Sequence, residues 1–500
     1  MSKRILSLCL SIILLFVGVV GRIGYIVFSK SYTASTSYNH YSLNIDKNYP
    51  TIYYSNGAKA TNNKPNYIAV IRPNQKCVAE LEKLFNFNEV RKITEELKKG
   101  YPLLKELDSK PDVKLNYIRV YTSYSDKNNL GQLLSRESDG ILNHIGGTVG
   151  EKNIIFSIDA QGRLLDGDEG EIENINYDSP EGYRISINRQ IQQITLDASK
   201  DLTSGCVVVM DVRDSSILAL VNKPDETYLN KPFCKYAVGS VFKLVVASCA
   251  LENDCNPEYD CKGSIKIGDS VFSCQNKHIH KKQHLKEALA NSCNCYFVNL
   301  ANVLGKEKLL DTARKLGFDE KTQLFDNWNF ENAYLPTDNE MLSLGELSLF
   351  GFGQGKLSVT PLQICSFLCT ISNNGEKNVP RLFVENINNK NVKTKIEYPS
   401  SETVLKDSTC DTLLEYMHYV VTDGTGKNAQ SSSNKSAGKT ATAQTGQYFM
   451  KNEYLNTWFA GVYPYDEPKY ALVVMKEHGK SGSTDCCPIY RTIVEQLENI

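Results

Sequence analysis

Three short polar clusters, Ser240-Val241-Phe242-Lys243, Ser292-Cys293-Asn294 and Lys439-Thr440-Ala441-Thr442, lie far apart along this chain. If they serve one reaction, the fold must bring them to one point, and a single domain has to enclose all three. Singly, each has an ordinary structural explanation. A serine before an apolar run caps a helix, and a lysine one turn later is common. Ser292 and Asn294 can cap the helix that follows them, and Lys439 can protect a solvent-facing edge strand. Together they offer a hydroxyl nucleophile, an amine base, a hydroxyl-amide loop and a cationic strand, which is the equipment of serine acyl transfer.

The chemistry behind the first cluster is specific. Ser240 and Lys243 are three residues apart in an apolar helical run, so their side chains share a face. Lysine takes a proton only when neutral, which requires burial or a second cation nearby. Lys439 is expected to be that cation, depressing the Lys243 pKa while attracting a carboxylate. Thr440 could donate to the same carboxylate, and the N–H groups of Ser240 and Thr442 could hold an oxyanion.

Around these clusters the apolar pattern predicts strands at Gly205 to Asp211 and Ile217 to Val221, and again at Asn456 to Tyr463 and Tyr470 to Met475. A short strand over Tyr183 to Ile187, a helix over Gln190 to Ser199 and a closing helix over Thr492 to Leu497 complete the outline. Strands at both ends with helices between them predict an α+β domain over residues 183–500 built on one mixed sheet. Residues 161–182, rich in Asp, Glu and Gly, read as a linker. Residues 31–160 read as a separate polar module with a charged helical stretch from Val78 to Leu97.

Residues 1–30 differ in character. Lys3 and Arg4 precede an uncharged apolar run from Ile5 to Gly21, and beyond Arg22 the apolar character resumes to Phe28. The length suits a single transmembrane helix, with the N-terminus cytoplasmic and the remainder outside. Arg22 implies an interfacial position or a membrane partner. A net charge of -1 gives no field that would recruit nucleic acid.

Fifteen cysteines are unusual for a chain placed outside a membrane. Cys206, Cys249, Cys365 and Cys369 sit in apolar runs and read as small buried hydrophobes. Cys261 and Cys274 bracket a Gly-containing segment that a bridge could close. His278, His280 and His284 follow in a Lys-rich stretch without zinc-like spacing, so the sequence is read as carrying no metal and needing no cofactor.

The clusters, with Asn373-Asn374-Gly375, Asp423-Gly424-Thr425-Gly426 and Thr457-Trp458-Phe459-Ala460-Gly461, resemble the class B penicillin-binding proteins, monofunctional D,D-transpeptidases of cell-wall synthesis. The resemblance covers residues 183–500 and, more weakly, 5–150. It implies the penicillin-binding-protein transpeptidase or serine β-lactamase-like fold, with a mainly antiparallel central sheet between helical regions, preceded by a membrane helix and an extended pedestal module. It further implies that Ser240 is acylated by a stem peptide, with Lys243 as base. Ser292, supported by Asn294 and Lys439, returns the proton, and Lys439, Thr440 and Thr425 recognise the terminal carboxylate. The implied partners are peptidoglycan stem peptides or lipid-linked precursor glycan, β-lactams, and a polytopic glycan polymerase with morphogenesis or division proteins. A D,D-carboxypeptidase, a β-lactamase-like hydrolase and a catalytically weak scaffold stay open as alternatives.

Two departures from the family pattern stand out. Ala441 occupies the usual glycine position, where its methyl group is expected to narrow the pocket. Thr51-Ile52-Tyr53-Tyr54-Ser55-Asn56-Gly57 keeps only the closing Asn-Gly of the family's pedestal signature.

Overall fold

The computed structural model describes residues 2–28, 39–135, 140–165, 167–225, 229–325, 328–330, 333–341 and 343–500. The chain divides into two compact units. The first comprises Met1–Asn48, Lys64–Ser125 and Val149–Asp178, and the second Tyr49–Asn63, Asp126–Thr148 and Ser179–Ile500. The boundaries therefore interleave, whereas sequence composition suggests a serial pedestal, linker and main domain.

In the first unit, His40–Asn48, Gly150–Ser157 and Glu171–Ile175 form one antiparallel sheet, and Lys64–Ile71 is the middle strand of another. Glu171–Ile175 lies within the expected linker; every residue in it is exposed, so no burial pattern marks it as a strand. The charged stretch around Val78 to Leu97 is two helices, Gln75–Leu81 and Phe87–Leu97. The break falls where Asn86 and Glu89 close a capping box. Buried Glu80 accepts N–H bonds from Asn116, Tyr117 and Ile118 at 2.6, 2.9 and 2.9 Å. Burial opposes its charge, but the three donors prevail and hold its pKa below the ordinary value.

The N-terminal helix runs from Ser2 to Phe28. Leu14, Leu15 and Phe16 are 66, 71 and 70% exposed, so the helix is apolar on several sides without a protein partner there. Among the described residues, no helix is long and apolar enough to cross a membrane. The side chains of Lys3 and Arg4, and all of Lys30, lie outside the described set.

Elements of the second unit that frame the site are, in chain order, α1 (Arg189–Ala198), β1 (Gly205–Asp211), β2 (Ile217–Lys223), α2 (Lys243–Glu252), α3 (Leu285–Ala290), α4 (Asn294–Leu304), α5 (Pro361–Ser372), α6 (Asp407–Thr422), β3 (Ala437–Phe449), β4 (Asn452–Tyr463), β5 (Tyr470–Lys476) and α7 (Cys487–Leu497). The five strands form a sheet in the order β2-β1-β5-β4-β3. Every pairing in it is antiparallel, because β1–β2 and β3–β4–β5 are each local hairpin chains and β1 joins β5 antiparallel. A parallel strand pairing lies elsewhere in the unit, between Thr51–Tyr53 and Gly182–Ile185. The segment containing Asn56-Gly57 thus belongs to this second unit.

Both faces of the sheet are covered. Cys206, Val208 and Met210 enter one core with Ala471, Val473 and Met475, while Val207, Val209, Leu472 and Val474 enter the other. That explains why β1 is continuously apolar rather than alternating. α5 covers the first face, where the Cys365 thiol meets Ala471 O at 3.3 Å. α1 and α7 cover the second: Gln192 exchanges two 2.8 Å bonds with the Leu220 backbone, and the Tyr490 hydroxyl donates to Val462 O at 2.8 Å.

Candidate active site

Ser240 sits in the 3-10 turn Gly239–Val241, just ahead of α2, which begins at Lys243. The turn is fixed by two glycines in left-handed conformation. Gly239 (φ 57°) donates its N–H to Gly353 O at 3.0 Å, and Gly353 has φ 79°. A Cβ on Gly353 would lie 2.0 Å from Gly239 O, and one on Gly239 would lie 3.1 Å from Ala443 Cα. The turn carrying Ser240 is therefore pressed against edge strand β3 on one side and the Gly353 loop on the other.

Lys243 is fully buried. Its ammonium donates to Ser292 O at 2.8 Å, Asn294 Oδ1 at 2.8 Å and Ser292 Oγ at 3.2 Å. The amine thus reaches the Ser-x-Asn loop, where it makes all three of these hydrogen bonds. Ser292 has φ 53°, a conformation imposed by the tight connection between α3 and α4. Asn294 is anchored from behind by its Nδ2 donating to Ser273 O at 3.0 Å.

Lys439 is also fully buried on β3, and donates to Ser292 Oγ at 3.1 Å and Thr440 O at 2.9 Å. One hydroxyl oxygen consequently receives both lysines. Burial draws the Lys243 pKa down to about 8, against the neighbouring Cys293, Cys274 and Cys295 thiols. Burial, followed by repulsion from Lys243, drives Lys439 well below the ordinary lysine range. Removal from water, more than one lysine acting on the other, is the leading cause for both.

Thr425 and Thr440 share a hydroxyl hydrogen bond of 2.7 Å. The loop carrying Thr425 is tied to the end of α3, where its N–H meets Ala290 O at 3.1 Å. Ala441 is buried in the main core opposite Trp458, whose Nε1 donates to Ala237 O at 3.0 Å. The methyl group is therefore packed without displacing β3 from β4. Ser240, Ser292, Asn294, Thr425, Thr440, Ala441 and Thr442 all line one cleft of about 860 Å³. Lys243 and Lys439 lie beneath its floor through their bonds to Ser292.

Sequence reasoning missed Gly482 and His280, which also line the cleft. A Cβ on Gly482 would lie 2.3 Å from Trp458 O, a close approach that no local pattern signals. The fold also gathers Cys261, Cys274, His280 and Cys293 beside the Ser-x-Asn loop. The sequence is read without a metal because no two of these are spaced as zinc ligands usually are.

Residues 205–495 match the penicillin binding protein transpeptidase domain. The chain belongs to the penicillin-binding protein transpeptidase family. Among curated relatives of this penicillin-binding protein, Stage V sporulation protein D of Bacillus subtilis is 27% identical over 69% of the chain and 57% of its own length. Peptidoglycan D,D-transpeptidase MrdA of Haemophilus influenzae is 26% identical over 76% of the chain and 64% of its own. The chain therefore spans roughly three fifths of the curated relatives it matches. A solved peptidoglycan synthetase from Bifidobacterium adolescentis aligns over 92% of this chain and 96% of its own, with TM-score 0.65 at 17% identity. Penicillin binding protein 3 from Mycobacterium tuberculosis aligns over 91% and 98%, with TM-score 0.61 at 20% identity. At those identities the two structures establish the fold.

Proposed function

We propose that this chain is a membrane-anchored peptidoglycan D,D-transpeptidase of the class B kind, acting through an acyl-enzyme on Ser240. The observation that carries the reading is the convergence of Lys243 and Lys439 on Ser292, with Asn294 accepting from Lys243, in the cleft that Ser240 lines. Neutral Lys243 accepts the Ser240 proton as Oγ attacks the carbonyl carbon of the penultimate D-Ala. The N–H groups of Ser240 and Thr442 hold the tetrahedral oxyanion. Ser292, bonded to Lys243, passes on to the departing amine the proton that Lys243 took up, leaving Lys243 neutral as the C–N bond breaks and terminal D-Ala leaves. An acceptor amine then attacks the ester, and the proton it sheds returns through Lys243 to Ser240.

The donor's terminal carboxylate is held by Thr440 and Thr425, whose hydroxyls already point at one another, and by the charge of Lys439. A β-lactam presents the same carbonyl and carboxylate, opens on Ser240 and keeps its leaving amine tethered. The family relationship supports both ligands. Water in place of the acceptor amine would make the same site a carboxypeptidase, so product analysis with an amine competing against water separates transfer from hydrolysis.

Ser2–Phe28 is the membrane anchor in this reading, with the N-terminus inside and the chain beyond the helix outside. Its support is the uncharged run Ile5 to Gly21 and the exposed apolar surface of Leu14, Leu15 and Phe16. Arg22 beside this surface suits either an interfacial position or a polytopic membrane partner such as a glycan polymerase.

The test is labelling of the full chain with fluorescent penicillin. Wild type is expected to give a covalent band that is lost in Ser240→Ala, with the adduct mass on the peptide containing Ser240. A correctly folded wild type that gives no band would sink the proposal in favour of a scaffold.

A further inference from the structure

The lead-in to Ser240 has little regular structure to hold it. Between the 3-10 turn Lys231–Phe233 and the turn Gly239–Val241, residues 234–238 belong to no helix or sheet strand, and their backbone is fixed at a few points. Tyr236 exchanges two 2.9 Å backbone bonds with Val359, and Trp458 Nε1 donates to Ala237 O at 3.0 Å. At the root of this segment lies a buried charge. Lys231 is 5% exposed, and its ammonium donates to Glu477 Oε2 at 2.5 Å and to Ser204 Oγ at 2.6 Å. The Ser204 hydroxyl donates in turn to the same carboxylate, and Glu477 N–H donates to Ser204 O at 3.0 Å. The Tyr236 phenol interacts with that carboxylate too. Burial opposes the charge on Glu477, yet bonds from Lys231 and Ser204 hold its pKa below the ordinary value, so the pair is ionised at neutral pH.

We propose that Lys231, Glu477 and Tyr236 are positioning residues that set the Ser240 hydroxyl for attack by fixing residues 234–238 against the end of β5; the inference rests on the acyl-enzyme reading of Ser240. None of the three lines the cleft, so they act through the backbone of Ser240 and not on substrate.

Three observations carry this. A buried ion pair adds little stability over apolar residues of the same volume, whereas its directional bonds are satisfied in one arrangement of the chain. Its place is also specific. Glu477 directly follows β5 and starts the stretch that runs to Gly482, where Gly479 N–H donates to Leu455 O at 2.9 Å; Leu455, Ser481 and Gly482 all line the cleft. One carboxylate thus joins the chain leading to the cleft wall with the chain leading to Ser240. Finally, the Tyr236 ring lies 6.3 Å from Trp458 in an edge-on arrangement, and Trp458 pairs with Ala441 across the β3–β4 ladder. A shift at Tyr236 is therefore felt on both sides of the site. Misplacement of a reacting atom by about 1 Å costs about 100-fold in rate, which makes these anchors a matter of chemistry as well as folding.

The test is rapid-mixing kinetics of the full chain in detergent with fluorescent penicillin, which separates the dissociation constant of the first, non-covalent complex from the acylation rate at saturation. Lys231→Met and Glu477→Gln should each slow saturated acylation about tenfold or more, with the dissociation constant within about twofold of wild type. Lys231→Arg, which keeps the charge, should recover most of the rate. Since a single loss leaves a buried charge unpaired and can unfold the chain, the combination Lys231→Met with Glu477→Leu decides between positioning and stability. It should melt close to wild type and still acylate about tenfold more slowly, and Tyr236→Phe should show a smaller loss of the same kind. A double variant that acylates at the wild-type rate, or losses confined to the dissociation constant, would overturn the inference alone. Wild type without a covalent band on Ser240 would instead sink the proposed function, and this inference with it.

Discussion

Ser292 Oγ is the atom on which the site turns, because both buried lysines reach it and a change at either should be felt there. Lys243 must be neutral to act as base, and its pKa is lowered to about 8, so its active fraction grows with pH. The second-order rate of penicillin acylation should therefore rise through that region and level off above it; a flat profile would exclude Lys243 as the base. Asn294→Ala removes the acceptor of one Lys243 N–H and the tie to Ser273. Hydrogen bonds to charged groups of about 1.5–3 kcal/mol translate to acylation slower by about 10- to 100-fold. Ala441→Gly, which restores the family's usual residue, should keep penicillin labelling and lose about 1–2 kcal/mol of stability, through one buried methyl and added backbone freedom, as read by thermal melting. Ser240, Lys243, Ser292, Asn294 and Lys439 were all legible as motif positions. Their bonding was not, since Lys243 reaches Ser292 and Asn294, a contact no spacing along the chain encodes.

Elements were legible where one periodicity governed them. β1, β2, β4 and β5 occur where apolar runs predict strands, and α7 extends the expected closing helix back to Cys487. Glu171–Ile175 was hidden because a fully exposed strand has no alternation to read. The turn carrying Ser240 depends on an unobvious pair, Gly239 against Gly353. Gly353→Ala should collide with Gly239 O and shift Ser240, slowing acylation more than tenfold while circular dichroism shows the sheet intact. In the first unit, Glu80 has a folded pKa below its unfolded value. Its contribution is present above the unfolded pKa and fades as pH falls through the folded one. Denaturant unfolding of Glu80→Gln should accordingly show lower stability than wild type at neutral pH and a smaller loss on acidification.

At the scale of the whole molecule, the proposed anchor and the transpeptidase domain should separate cleanly. Full-length chain is expected in the membrane fraction through high salt, and deletion of residues 1–28 should release a soluble protein that fluorescent penicillin still labels on Ser240. The family, the sheet's principal strands and the motif residues that line the cleft were legible in sequence, because each rests on local apolar rhythm or on contiguous motifs. Interleaving of the two units, the antiparallel order β2-β1-β5-β4-β3, the meeting of two lysines at one hydroxyl and the gathering of Cys261, Cys274, His280 and Cys293 were decided by tertiary structure. Chain order carries no distances between remote segments; those distances follow from burying two sheet faces at once, which leaves few ways to place the loops between.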